Sequence, residues 1–498
     1  MKLLDCTLRD GGYYTNWDFD KSVVDAYIEC VDKLPIDYIE IGYRSVMQNE
    51  YFGEYYYLPL STVMGIKERT SKALSIMVNA TGCEVVDLEG LLTDLVGLVK
   101  LVRIAVAVEH LDHGKNLAFE IKKLGFEVGI NIMRAPDLLK GDIGKHLDEV
   151  EQCVDYLYLV DSYGSIHPNE LVKLFELVQS VSPAHLGFHG HNNIELAFAN
   201  SISAMECNCS IIDFTVLGMG RGAGNLKTEL FLTYLKKQKG LDVDLNTVGT
   251  LVESFSALLA MHNWGTNLAY MASGAYALPQ KNVMDALALN RYSLSTIVNN
   301  MKFDQNDQIN YLQMNSTYNE CLIIGGGNSV NDHQVAIERF LTMNKDLLVI
   351  HATSKYIDHF NGIDNEQVCV ISGDELLKFT KMPSSVKTFI LGENSLFVDQ
   401  HNKDVKFYKL GGLSSTKYNY DSPLAMAFQL SKDTKINNIN LVGFDGYEEL
   451  KNKKELYLMN ENQQIINDFN KISQITSLTA TNYDNVKRRS IYHAIIKL

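Results

Sequence analysis

Along residues 2–240, short apolar runs alternate with longer stretches of helical period, the pattern of repeated βα units. Eight strand-like runs are read at 2–7, 38–42, 73–78, 101–108, 127–133, 156–160, 185–189 and 211–216. Helical segments such as 21–33, 115–123, 168–179, 194–205 and 227–237 lie between them. Eight such units predict a (β/α)8 TIM barrel over 1–240, a fold that needs about 250 residues. An open doubly wound sheet, the alternative, seldom repeats so evenly. From 246 to 310 the pattern changes to helical periodicity at 248–262, 267–273 and 283–289 with no convincing strand, which predicts a helical appendix over 241–303. The polar run Asp304-Gln305-Asn306-Asp307-Gln308-Ile309-Asn310 predicts a linker over 304–318. Alternation resumes at 321–324, 347–351, 367–371, 387–391 and 436–442, predicting a smaller Rossmann-like α/β domain over 319–498.

Composition narrows the function classes. With 46% hydrophobic and 21% charged residues in 498, the chain reads as globular with room for two folded units. A net charge of -15 offers no basic field for a phosphate backbone, so nucleic acid is not expected as a partner. Eight cysteines without a C-x-x-C pair give neither a zinc knuckle nor a disulfide framework, and a cytoplasmic setting is expected. Charge in Met1-Lys2-Leu3-Leu4-Asp5 comes too early for a signal-peptide core, and no run of about 18 apolar residues occurs, so no membrane association is expected.

A barrel of this kind carries its chemistry at the C-terminal ends of its strands. Strand seven closes with His189-Gly190-His191-Asn192, whose two histidines at i and i+2 share a side, with Gly190 expected to leave room between them. Such imidazoles suit a divalent transition metal, and added oxygen ligands extend the choice to Mg. Strand one runs into Arg9-Asp10-Gly11-Gly12, where the glycines are expected to permit a bend that brings both charges to the site. After strand eight comes Gly218-Met219-Gly220-Arg221-Gly222-Ala223-Gly224-Asn225, with Asn225 offering a fourth oxygen, and strand six ends in Asp161-Ser162. Singly, each motif has a structural explanation; together they place a cation site and oxyanion donors on one arc of the mouth. In the second domain, Gly325-Gly326-Gly327 between a strand and a helix has the order that seats a phosphate, without the full dinucleotide fingerprint. A nucleotide or a partner protein is the expectation there.

Leu8-Arg9-Asp10-Gly11, His189-Gly190-His191-Asn192 and Gly220-Arg221-Gly222-Ala223-Gly224-Asn225 resemble the signature of the metal-dependent pyruvate-type aldolases and lyases. That group includes 4-hydroxy-2-oxovalerate aldolase, hydroxymethylglutaryl-CoA lyase and the isopropylmalate synthases, and the resemblance covers residues 1–290. It implies a divalent cation, Mn or Mg, held by Asp10, His189 and His191 with Asn225 at or near it. It also implies that Arg9 steadies an enolate oxygen and that Ser162 binds the substrate carboxylate. The implied activity makes or breaks a carbon–carbon bond between a 2-oxo acid and an aldehyde, in a homo-oligomer. An acyl-CoA condensing synthase is the runner-up, followed by a bifunctional protein whose C-terminal domain transfers a nucleotide or sugar group. Where the aldolases carry a histidine after the first motif, this chain has Gly12-Tyr13-Tyr14. Tyr13, with a reference pKa near 10, is then a proton donor or relay, and Tyr276 falls where a second acid/base tyrosine is carried. Glu109, His110 and His113 are the alternative bases after strand four.

Overall fold

The computed structural model describes residues 1–288, 293–302, 318–373, 375–379, 382–392, 405–410, 422–447 and 453–496. The chain forms two compact units, Met1–Asp285 and Ala286–Leu498. In the first, β1 (Lys2–Asp5), β2 (Tyr38–Tyr43), β3 (Ala73–Asn79), β4 (Val99–Ala107), β5 (Glu127–Met133), β6 (Tyr156–Asp161), β7 (Leu186–Gly190) and β8 (Ile211–Phe214) form a closed parallel barrel, with β1 paired to β8. Helices Lys21–Lys33, Leu111–Lys123, Pro168–Val181, Ala197–Glu206 and Thr228–Lys239 follow their strands as the periodicity requires, and bury one stripe each. The stretch expected as a helical appendix over 241–303 holds the helices Leu245–His262, Leu268–Ala275, Gln280–Ala288 and Leu294–Lys302 among the described residues, the division between the two units falls inside the third, and Leu245–His262 seats Phe255 against Tyr27 of the first barrel helix.

β1 stops at Asp5, short of the expected 2–7, and the cause is the Asp5 side chain. Fully buried, it accepts Thr7 N–H (2.9 Å) and the hydroxyls of Thr7 (2.6 Å), Tyr27 (2.7 Å) and Thr228 (2.8 Å). The chain therefore leaves the sheet at once and makes a helical turn, Thr7–Asp10, which carries Arg9 and Asp10. The expectation that Gly11 and Gly12 supply a special bend is corrected: Gly11 is helical (φ −65°). Both positions lack space instead. A Cβ would lie 2.6 Å from Thr7 O at Gly11 and 2.2 Å from the Trp17 indole at Gly12.

The second unit is an all-parallel sheet of β9 (Glu320–Ile324), β10 (Leu348–His351), β11 (Gln367–Ile371), β12 (Thr388–Leu391), β13 (Lys406–Lys409), β14 (Asn438–Val442), β15 (Ile475–Ser477) and β16 (Lys487–Arg488), in the order β13-β12-β11-β10-β9-β14-β15-β16. The three strands beyond the five expected are short and lie toward the edges; β13 and β16 are charged, which blunts an edge but erases an apolar signal. The strand order reverses between β9 and β14. There two amides of the Gly325-Gly326-Gly327 loop and that of Ser329 are spent internally: Gly325 donates to Val442 O, Gly327 to Gly443 O, and Ser329 to the Asp445 carboxylate at 2.9 Å. A phosphate seated at this turn would meet that carboxylate. The expected linker over 304–318 lies, apart from residue 318, outside the described residues. Among the described residues no helix is long and apolar enough to cross a membrane.

Candidate active site

The candidate residues collect at the C-terminal ends of β6, β7, β8 and β1, which are consecutive around the barrel. Asp10 rides on the turn after β1, His189 and His191 close β7, Ser162 follows β6, and Asn225 lies in the glycine-rich loop after β8. That loop is sewn to β7: His191 and Asn225 form an antiparallel bridge, and Asn192 N–H donates to Gly224 O at 2.8 Å. Gly220 has no room for a side chain, because a Cβ would sit 2.6 Å from the Asp10 carboxylate and 2.3 Å from the Asn225 amide.

The two imidazole rings stand 5.0 Å apart. His189 Nδ1 bonds Asp213 (2.8 Å) and His191 Nδ1 bonds the Asp161 carbonyl (2.8 Å), an arrangement that fixes each tautomer and turns Nε2 toward the mouth. His189 Nε2 lies 3.8 Å from Asp10, too far for a hydrogen bond. Asp10, His189 and His191 are all buried and offer ligand atoms within 4.8 Å of one another. Asn225 donates its amide to Asp10, while its Oδ1 is buried without a hydrogen-bond partner. An orphaned oxygen beside two outward imidazole nitrogens and a carboxylate is the donor set a divalent cation takes. Gly190 does not separate the histidines as expected; a Cβ there would strike the Phe188 ring at 2.8 Å, on the face that packs against Phe175.

Arg9 is 5% exposed and gripped on two sides, Nε by Glu40 (2.7 Å) and Nη1 by Asp10 (2.5 Å), which leaves the Nη2 edge for a ligand. Burial opposes charge on both Arg9 and Asp10, but their pairing outweighs it. Asp10 is held at about 2 by Arg9 and the neighbouring imidazoles. Ser162 Oγ accepts Arg134 N–H at 2.8 Å, leaving its own proton to donate. Tyr13 OH shares a 3.3 Å hydrogen bond with Tyr43 OH and its ring stands edge-on to Trp17. Tyr276 is 53% exposed at the end of Leu268–Ala275. The alternative bases have other occupations: His113 Nε2 bonds Cys83 O at 2.9 Å, and Glu109 pairs with Arg134, while His110 is exposed.

Residues 97–254 match the HMGL-like family profile. The solved N-terminal domain of a Bacteroides vulgatus protein, provisionally described as an aldolase, is 44% identical, with a TM-score of 0.57, and is covered over 100% of its length by 60% of this chain. This chain belongs to the HMGL-like aldolase and lyase family. An oxaloacetate decarboxylase of Mycobacterium tuberculosis is 29% identical over 259 residues (49% of this chain, 73% of the relative). A 4-hydroxy-2-oxovalerate aldolase of Pelotomaculum thermopropionicum is 27% identical over 260 residues (49% and 73%).

Beneath its candidate metal ligands, this HMGL-like barrel holds charges that the motif reading missed. Even strands contribute one layer of side chains: Glu40 from β2, Arg103 from β4, Tyr158 from β6 and Asp213 from β8. Arg103 is fully buried, binds Asp213, lies 3.1 Å from Glu40, and stacks 4.1 Å above the Tyr158 ring. Gly129 and Gly187 on the odd strands make room for it; a Cβ would come within 3.2 Å of Arg103 and 2.6 Å of Tyr158 respectively. Because Glu40 also holds Arg9 and Asp213 also holds His189, one chain of contacts joins the layer to the mouth. The readable signal was a lone charge inside the apolar runs 38–42, 101–108 and 211–216.

Burial pushes His191 down to about 3, with the neighbouring His189 adding to the effect. Unfolded, the same ring takes a proton near its ordinary value of about 6.5. The folded protein therefore binds fewer protons below that pH, and stability falls as pH drops from about 6.5 toward 3 by about 1.4 kcal/mol per unit. Between pH 7 and 5 the cation-free protein should lose about 2 kcal/mol through this group. Asp161, pushed up to about 6 by burial, acts in the opposite sense but is common to wild type and variant. Trp17 and Trp264, the chain's two tryptophans, both lie in the barrel unit, so fluorescence-monitored urea unfolding reports on it. His191→Gln should lose the His191 part of the acid limb; equal slopes in both proteins would refute it.

Proposed function

We propose that the barrel is a divalent-metal-dependent aldolase that interconverts a 4-hydroxy-2-oxo acid with pyruvate and an aldehyde. The observation that carries this reading is the orphaned Asn225 Oδ1 beside Asp10, His189 and His191, next to an arginine fixed by two carboxylates. Those four residues would hold the cation, Mn or Mg. When bound, it supplies Lewis-acid charge to the keto and carboxylate oxygens of the 2-oxo acid. Arg9 directs its remaining guanidinium edge at the same keto oxygen, where negative charge grows as the bond breaks. Ser162 donates its hydroxyl proton to the carboxylate and orients it. In the cleavage direction the 4-hydroxyl gives up its proton and the C3–C4 bond breaks. The electron pair moves onto the 2-oxo fragment as an enolate, the aldehyde leaves, and C3 is protonated to give pyruvate. Tyr13 is the relay for that proton; Tyr43 behind it is buried, which pushes its phenol up and keeps it a donor. Tyr276 is the second acid/base candidate. Decarboxylation of a 2-oxo diacid passes through the same enolate and is the second reading, favoured by the Mycobacterium tuberculosis relative.

Exchange of pyruvate methyl protons in deuterated solvent needs only enolisation, so it tests the reading without knowledge of the aldehyde. Exchange should require added Mn or Mg. A doubly substituted His189→Ala, His191→Ala protein should lose bound metal and exchange together, and Tyr13→Phe should slow exchange while His110→Ala and His113→Ala do not. Full metal occupancy in the double variant would refute the site. Parental exchange in Tyr13→Phe, with exchange abolished in His110→Ala or His113→Ala, would move the proton path to β4.

A further inference from the structure

Arg221 is the one member of the glycine-rich loop after β8 whose charge the mechanism leaves unused. Its neighbours fix where it stands. On one side Gly220 packs directly on the Asp10 carboxylate and the Asn225 amide, and on the other Gly222 O accepts the Tyr14 hydroxyl at 2.7 Å. The Arg221 guanidinium lies 5.5 Å from the centre of the Tyr13 ring, half-buried at the mouth. Among the described residues it makes no ion pair and no hydrogen bond, in a chain of net charge -15 where other mouth cations are spoken for. Arg9 is paired with Asp10 and Glu40, and Arg134 with Glu109 and Asp137. A cation held beside a metal-ligand set without an acidic partner is an anion site in waiting.

Strand order gives this charge a direction. Ser162 follows β6, the histidines close β7, Arg221 follows β8 and Tyr13 follows β1. Ser162 and Arg221 thus flank the histidine pair on opposite sides. A 2-oxo acid whose carboxylate meets Ser162 and whose keto oxygen faces Asp10, His189 and His191 extends its far end toward Arg221 and the Tyr13 ring. A methyl-ended substrate would leave the guanidinium without a partner and give it nothing in return for lost hydration.

We infer that Arg221 is a specificity residue for a second anionic group, a carboxylate or a phosphate ester, on the aldehyde-derived end of the substrate. The inference rests on the aldolase reading and adds the substrate class: a 2-oxo acid that is anionic at both ends. No covalent step is added to the reaction; Arg221 contributes ground-state and transition-state binding of the distal anion.

The test uses the full chain loaded with Mn, with inhibition of pyruvate proton exchange as readout. Three 2-oxo acids of equal chain length that lack the 4-hydroxyl needed for cleavage are compared: 2-oxopentanoate, 2-oxopentanedioate, and the 5-phosphate ester of 5-hydroxy-2-oxopentanoate. One of the two doubly anionic acids should inhibit at a concentration about 10- to 100-fold lower than 2-oxopentanoate, the effect of one charge-assisted pair, and the tighter of them names the group. Arg221→Met, which can still pack on Tyr13, should shrink that ratio to within about threefold of unity, and Arg221→Lys should keep part of it. A ratio near unity in the parent protein overturns the inference. So does a ratio unchanged in Arg221→Met, including the case where all three inhibitors weaken together, because Arg221 would then hold the common 2-oxo acid head. Absence of pyruvate exchange in the parent protein is a separate result, and overturns the aldolase reading itself.

Discussion

Arg103→Met is expected to cost the barrel about 3–5 kcal/mol, the penalty for leaving buried carboxylates without their partner. Methionine fills much of the space but carries no charge, and both Glu40 and Asp213 are fully enclosed where Arg103 reaches them. Neither can turn to solvent. Each keeps one other partner, Arg9 for Glu40 and His189 for Asp213, which is why the loss is not larger. Domains of this size are stable by only about 5–15 kcal/mol, so the variant should sit near the edge of folding at 37 °C. Tryptophan fluorescence during urea unfolding measures the cost in the barrel alone. Arg103→Lys should fall between the two, because one ammonium cannot span both acids with the reach of a guanidinium. A midpoint for Arg103→Met within about 0.5 kcal/mol of wild type, the ordinary range for a surface substitution, would mean the layer is not held by charge.

Arg9→Lys should bind the cation and yet lose about 100- to 1000-fold in turnover, a loss comparable to removing an oxyanion-hole donor. The geometry explains why a conserved charge is not enough. Arg9 already commits Nε to Glu40 and Nη1 to Asp10, and only a forked, planar group has a third edge left to present. A lysine that satisfied Asp10 would leave Glu40 to Arg103 alone, and would have no directed donor for the substrate oxygen. Pyruvate exchange at saturating Mn measures the loss; undiminished exchange would reduce Arg9 to an ion-pair partner of Asp10.

The barrel was legible because its strands alternate with helices of strong period, and β5 and the helix Lys21–Lys33 fall on their expected bounds. The spacing of His189 and His191 and the nearness of Asp10 also follow from sequence, since consecutive strands of a closed barrel must be neighbours. What could not be read was anything set by register across the barrel. Glu40, Arg103 and Asp213 lie in strands far apart in sequence, and only the stagger of the strands brings their side chains into one layer. The turn Thr7–Asp10 was hidden for a related reason. Asp5 ends β1 with a side chain whose partners include Tyr27 and Thr228, one of them more than two hundred residues away. In the second unit, the glycine loop has the right residues for a phosphate turn, but Asp445, far along the chain, takes the Ser329 amide.

The hydrogen bond from Asn225 to Asp10 spans 215 residues across the seam where β8 meets β1. A ribosome adding about 5–20 residues per second would need about 10 to 40 s between synthesising the first of these side chains and the second. Through most of that interval the nascent chain has Asp10 without the histidines, and until its end without Asn225, so the complete site cannot capture a cation until the barrel shuts. A metal that binds only the closed form would bias the seam toward closure by mass action. Scarcity of the ion during growth would then show first as slow maturation and proteolysis of newly made chains, before any deficit in those already folded.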